Sequence, residues 1–169
     1  MTFFQLATAP LGDNLRAGIL DGQEGCWDTA NVMTSIRRDA AGRLIIGAMG
    51  ALDTMGLHRA WAERHFTKFF PHLAGQSFDH FWSGRIMMTH DKLPRIQRLP
   101  DGFAVFGYSG RGIAPGTVMG EAAALALLSG DETALPLVPV DSYTEAWTRT
   151  KTAFYETASR AAHWIGARR

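Results

Sequence analysis

The chain has 169 residues, of which 46% are hydrophobic and 20% charged, with a formal net charge of +1. That length supports a real core, while the near-neutral charge gives no electrostatic case for nucleic acid or an acidic membrane as partner. The lone Cys26 excludes an intrachain disulfide and fits a reducing, cytoplasmic compartment; no apolar run reaches the ~18 residues of a membrane span, and the N-terminus lacks the basic region of a signal peptide.

Residues 2–11 read as a strand, with an edge open to pairing with another chain. Residues 31–39 and 43–49 read as a β-hairpin, because Asp39-Ala40-Ala41-Gly42 is turn chemistry and Gly42 suits a positive φ. Alternation along the first strand puts Met33, Ser35 and Arg37 on one face and Val32, Thr34, Ile36 and Arg38 on the other. Residues 57–70 read as a helix ended by Pro71. His58, His65 and His72 share its apolar arc seven residues apart, roughly 10 Å between neighbours and too far to share one metal. They are expected as partly buried, hydrogen-bonded histidines, and no metal site is expected. Residues 78–89 read as a strand carrying Trp82. The His90-Asp91 pair lacks the nucleophile elbow of a hydrolase.

Residues 103–121, FAVFGYSGRGIAPGTVMGE, organise the rest. They predict a short strand, a glycine-rich turn and a helix start, with Pro115 near a position where a missing N–H costs nothing. Gly112, Gly116 and Gly120 recur every four residues and make a stripe free of side chains, to which a sheet or a ligand can come close. Free N–H groups at the helix start suit an anionic group. A plain strand–turn–helix connection reads the same glycines. The order G-x-x-G-x-G is not the dinucleotide fingerprint. The helix is expected over residues 114–128, stopped by Gly130 and buried against a sheet. After an extended linker, Ser142 and Glu145 form a candidate capping box. Trp147, Phe154, Ala158, Ala161 and Ile165 then give an amphipathic helix closed by Arg168 and Arg169.

Taken in order, Trp82-x-Gly84, Asp91 with Pro94, the Gly107-Tyr108-Ser109-Gly110-Arg111-Gly112 loop and Gly120 with the 125–130 helix end form a set. With Ala7-Thr8-Ala9-Pro10-Leu11 and Gly42-Arg43-Leu44-Ile45-Ile46-Gly47 upstream, this set resembles the C-terminal part of the FAD-dependent amine and amino-acid oxidases, among them D-amino-acid, glycine, sarcosine and γ-glutamylputrescine oxidases. The resemblance covers most of the chain. It implies an α+β fold: a mixed or antiparallel substrate-domain sheet with flanking helices (residues 1–98), a strand–Gly-rich loop–helix unit from the flavin-binding domain (99–130), and a linker with a C-terminal helix (131–169).

The resemblance further implies FAD held in part by Gly107, Ser109, Gly110, Arg111, Gly112 and Ile113. The substrate-domain sheet would roof an amine or amino acid, with Trp82 in the pocket and Arg37 or Arg38 as a bidentate carboxylate anchor. A solvated arginine pair beside a turn is the alternative reading. Relatives place a carboxylate-clamping arginine two residues after the glycine of W-x-G; here that position is Ile86, and Arg85 points to the other face. An α-amino-acid substrate is thereby weakened in favour of an amine. Oxygen is the expected acceptor, no catalytic residue is assigned, and the flavin is expected to be non-covalent. The strand–GxGxxG–helix unit that holds the ADP half of FAD is not in the sequence. The chain is expected to bind FAD only when such a segment, a partner chain or self-association completes the site. A truncated product, a subunit of a split enzyme and a cofactor-free descendant all fit, as does a non-enzymatic interaction or ligand-binding domain.

Overall fold

The computed structural model describes residues 1–30, 32–50 and 56–166. The fold is α+β, and the chain divides into two compact units. One comprises Met1–Arg85 with the described part of 150–169; the other is Ile86–Arg149. This division by contact falls at residues 85 and 149; residue 98 itself lies within a strand, Arg95–Leu99, that pairs with Gly102–Phe106.

The first unit is built on five strands, β1 (Thr2–Thr8), β2 (Cys26–Trp27), β3 (Ser35–Arg38), β4 (Leu44–Met49) and β5 (Phe78–Arg85), in the order β2-β3-β4-β1-β5. All pairings are antiparallel. β1 is therefore interior, with β4 on one side and β5 on the other. The expected open edge at residues 2–11 is corrected: the edges are β2 and β5. β3 and β4 form the predicted hairpin, with Gly42 at φ +81° and its N–H donated to the Asp39 carbonyl at 3.1 Å. Asn31, at the proposed start of that hairpin, lies outside the described residues.

Alternation decides the two faces. Phe4, Leu6, Ile36, Leu44, Ile46 and Ala48 point to one side and are buried. Onto them packs α2 (Leu57–Phe69), which follows the four-residue helix α1 (Asp13–Arg16) in chain order. α2 presents His58, Trp61, Ala62 and Phe66 inward, at steps of three and four residues that keep one face of a helix on the sheet. It ends at Phe69, and Pro71 opens a single 3-10 turn, Pro71–Leu73. His72 sits on that turn, exposed, and not on the helical arc with the other two histidines.

β5 stops at Arg85 and not at Thr89, because its register against β1 runs out at Thr2↔Arg85. In the second unit β6 (Arg95–Leu99) and β7 (Gly102–Phe106) form a hairpin, followed by α3 (Ile113–Ser129). Gly130 closes α3 at φ +71°, the left-handed stop that glycine adopts without strain. Arg98 fastens the 131–141 segment to β6 through Glu132 at 2.7 Å and Asp141 at 3.0 Å.

The last helix, α4 (Thr148–Gly166), starts later than the capping box predicts. Glu145 is drawn elsewhere: it accepts from the Tyr143 hydroxyl at 2.5 Å and the His90 N–H at 3.1 Å. Trp147 at φ +59° breaks the helical path just before Thr148. Arg168 and Arg169 lie outside the described residues. No described helix is long and apolar enough to cross a membrane.

Candidate functional site

The glycine-rich segment folds as a tight turn leading into a helix. The Arg111 N–H donates to the Tyr108 carbonyl at 3.0 Å, and the two central residues, Ser109 and Gly110, both have positive φ, +53° and +89°. That pair of signs defines the turn that reverses direction most sharply between extended segments. Gly107, at φ +79°, is fixed by contact as well as by conformation: a Cβ there would stand 2.5 Å from the Thr89 methyl group. The Thr89 hydroxyl donates in turn to the Leu93 carbonyl at 2.8 Å. The Arg95 guanidinium beside Asp91 holds that carboxyl down at about 2, so the 89–95 segment is pinned where it meets Gly107.

α3 begins directly after this turn, and no side chain caps it. Gly112 is in the helical region and its carbonyl accepts the Gly116 N–H at 2.9 Å. Pro115 has no N–H, so the amides of Ile113 and Ala114 are the donors this N-terminus offers. The Gly112–Gly116 stripe is covered by the Tyr108 ring, which lies 3.5 Å and 3.7 Å from where their Cβ atoms would be. At Gly120 the stripe is open, with nothing within 4 Å. Met119, Ala123 and Ala126 are buried, but Ile113, Val118, Leu125, Leu127 and Leu128 are exposed, Ile113 at 92%. α3, expected to be buried against a sheet, buries one face and leaves a broad apolar face open.

In the first unit, the sheet face away from α2 is the second candidate surface. The cross-strand rows are Ser35–Gly47–Gln5–Trp82 and Arg37–Ile45–Ala7–His80. Arg37 and Trp82 therefore share this open face. They stand three strand spacings and one two-residue row apart, roughly 16 Å, so only a ligand lying across the sheet meets both. Arg38 belongs to the other side. Its guanidinium donates to the Ile19 carbonyl at 2.9 Å and pairs with Asp21 at 3.0 Å, holding the loop after α1. Arg38 thus clamps this loop and does not share the open face with Arg37. Arg85 registers with Thr2, on the helix side of the sheet, so it faces away from Trp82.

Three residues that sequence reasoning passed over lie on the open face. Gln5 sits beside Trp82, and its amide covers Gly47, where a Cβ would come within 2.5 Å of it. Arg43 and His80 line an open depression of about 610 Å³ with Ala7, Ile45, Asp79 and Trp82. Arg43 donates to the Thr8 carbonyl at 3.1 Å. The signal available for Gln5 was a single amide in the apolar run of β1, at a position that alternation turns away from the core.

The histidines of α2 serve packing. His58 Nδ1 meets His163 Nδ1 of α4 at 2.5 Å, both rings being buried. Trp61 is stacked between His65, at 4.2 Å, and His163, at 4.4 Å. Burial holds His163 down at about 3, and the neighbouring His58, His65 and Arg64 push the same way. Among the described residues no group of three side chains is arranged to hold a metal.

No curated protein matches the chain in sequence. Solved structures share its fold, two of them as follows. L-proline dehydrogenase from P. horikoshii superposes with a TM-score of 0.59 at 21% identity, over 80% of this chain and 37% of that one. Glycine oxidase from Geobacillus kaustophilus superposes with a TM-score of 0.58 at 19% identity, over 81% and 36%. The chain thus spans little more than a third of the length of either. The sequence profile of the FAD dependent oxidoreductase (DAO) family matches residues 4–126, most of the chain, which with the open sheet face and the glycine turn at α3 makes it a member of that family.

Proposed function

We propose that the chain supplies the flavin-facing loop and the substrate-facing sheet of an FAD-dependent oxidase acting on a C–N bond of an amine or amino acid. The observation that carries this reading is the uncapped start of α3 behind the Tyr108–Arg111 turn. A helix N-terminus without a side-chain cap has donors to spare and a partial positive charge. The residues fit the group: Gly110 and Gly112 carry no Cβ beside the helix start, and no side chain caps the amides of Ile113 and Ala114. Bound there, FAD would take a hydride equivalent from the carbon bearing nitrogen and pass electrons on to oxygen.

The chain's own part is positioning and charge. The uncapped amides of Ile113 and Ala114, with the Arg111 side chain beside them, would hold the cofactor there and supply positive potential for negative charge on it. Gly107, Ser109 and Gly112 shape the loop. On the sheet, Trp82 supplies an apolar wall and Arg37 a guanidinium able to grip a carboxylate or another anionic tail across the face. An amine substrate is favoured over an α-amino acid, because the clamp position holds Ile86. The ADP half of the cofactor needs a strand–GxGxxG–helix segment, carried on another part of a longer protein or on a partner chain. The open apolar face of α3 is a surface such a segment can cover. The lone Cys26, exposed on β2, is consistent with a reducing compartment such as the cytoplasm.

The test is co-expression of this chain with a strand–GxGxxG–helix dinucleotide-binding segment, followed by gel filtration. Flavin absorbance that stays with the pair, together with peroxide release on adding amines, is the expected result, while the chain alone stays colourless. A pair that assembles and still carries no flavin would overturn the reading.

A further inference from the structure

Among the described residues, five other than glycine hold a positive φ. Two of them, Lys92 at +60° and Ser109 at +53°, lie in the two segments that meet at Gly107. A residue bearing a Cβ stays in that region only where its surroundings hold it there. Ser109 is the more demanding case, because it and Gly110 are the two central residues of the turn ahead of α3. At the first of those positions the turn favours asparagine, aspartate or glycine over serine.

What holds Ser109 is its own hydroxyl. Its Oγ donates to the Gly107 carbonyl at 3.1 Å and accepts the Thr89 N–H at 3.4 Å. Thr89 is itself fixed: it is 5% exposed, its hydroxyl is spent on the Leu93 carbonyl, and its methyl group stands against Gly107. Alongside, Met88 bridges Tyr108, and Ile86 reaches within 3.9 Å of the Cβ position at Gly110. Residues 86–89 and 107–110 therefore run antiparallel, in a register that sets Thr89 against Gly107 and Ile86 against Gly110.

The consequence lies a few residues further on. A turn held by side-chain bonds has its direction set before any ligand arrives, and so has the uncapped helix start that follows it. A loop already in its bound form spares the ligand the entropy of ordering it. A serine hydroxyl has one proton to give, and Ser109 gives it to Gly107, so it has no donor left for an acceptor atom of a ligand.

We propose that Ser109 is a positioning residue for the flavin site: it locks the turn that aims the start of α3 and does not itself touch the cofactor. The proposal rests on the flavin reading above. Substitutions at this position separate the two roles. Ser109→Ala removes the hydroxyl and leaves a Cβ in the left-handed region. Ser109→Gly removes the hydroxyl and the strain together, and Ser109→Asn supplies the residue that such a turn favours ahead of glycine. In the full chain alone, amide hydrogen exchange at Arg111 reads the turn bond to the Tyr108 carbonyl. Protection is expected to fall in Ser109→Ala and to return in Ser109→Gly and Ser109→Asn. In the chain paired with a strand–GxGxxG–helix segment, FAD affinity is read by titrating flavin fluorescence. Ser109→Ala should weaken it about tenfold, whereas Ser109→Gly and Ser109→Asn should restore it to within about threefold of wild type. Equal losses in Ser109→Ala and Ser109→Gly, the mark of a hydroxyl that touches the flavin, would overturn the proposal. So would wild-type affinity in Ser109→Ala. A wild-type pair that assembles without flavin would remove the functional reading instead, and the exchange pattern would still decide whether Ser109 sets the turn.

Discussion

At Gly107 two independent demands coincide, a positive φ and a 2.5 Å approach to the Thr89 methyl. Gly107→Ala must relieve both, and is expected to cost about 1–3 kcal/mol. A lowered urea midpoint measures the cost, and lost flavin retention in the completed enzyme measures the consequence. At Gly47 the neighbour is the far end of a flexible Gln5 side chain, so Gly47→Ala should cost under about 1 kcal/mol. The amide must swing aside, and a changed KM with an unchanged melt is expected if Gln5 helps to seat substrate. His163 sets a pH dependence. Its folded pKa of about 3 lies below the ordinary 6.5, so the unfolded chain binds the proton more readily. The resulting stability is complete above about pH 6.5 and is lost as pH falls toward 3. Between pH 8 and pH 5 the loss should be about 2 kcal/mol. Urea titrations at the two pH values check this, and His163→Phe should flatten most of the difference.

At the scale of elements, the sheet gains its stability from the α2 side. Phe66 is 2% exposed against Phe70 and Phe78, so Phe66→Ala should lower stability by about 3–5 kcal/mol, read from chemical unfolding. The same alternation that buries Ile36 and Leu44 leaves Arg37, Gln5 and Trp82 on the open side. Alternation, turn glycines and Pro71 made the hairpin, α2 and the strand–loop–helix of the second unit legible, because each signal acts within a few residues. The capping box at Ser142 failed because Glu145 found other donors, the Tyr143 hydroxyl and the His90 N–H, the latter 55 residues away in sequence. β5 ended early because its partner's register ended. Neither competitor is visible in the local pattern.

At the scale of the molecule, the family match and the 37% and 36% coverage of two solved relatives frame what the chain does. Two surfaces carry the proposed chemistry, one on each compact unit, and each is complete as a backbone: the open sheet face and the uncapped α3 start. Under the proposed function, a dinucleotide-binding segment would cover the apolar residues exposed on α3, with Leu128 at 86%. Mixing the two polypeptides should therefore raise the melting temperature of this chain, and adding FAD should raise it further. A melt that ignores the segment would remove that role from α3.

By itself the sequence determined the α+β class, the hairpin, the glycine turn with its helix start, and the family. These rest on period, turn chemistry and ordered motifs, which are local or additive along the chain. Only the tertiary structure decided that β1 is interior, that Arg37 and not Arg38 shares a face with Trp82, and that α4 buries Ser159 and His163 while Phe154 and Ile165 stay exposed. Those outcomes depend on strand register and on which residues from distant segments meet. Arg38 is claimed by the Ile19 carbonyl and Asp21, and His163 by His58, 105 residues away in sequence. A helical period states that two faces differ; the partner that packs against the helix decides which one is hidden.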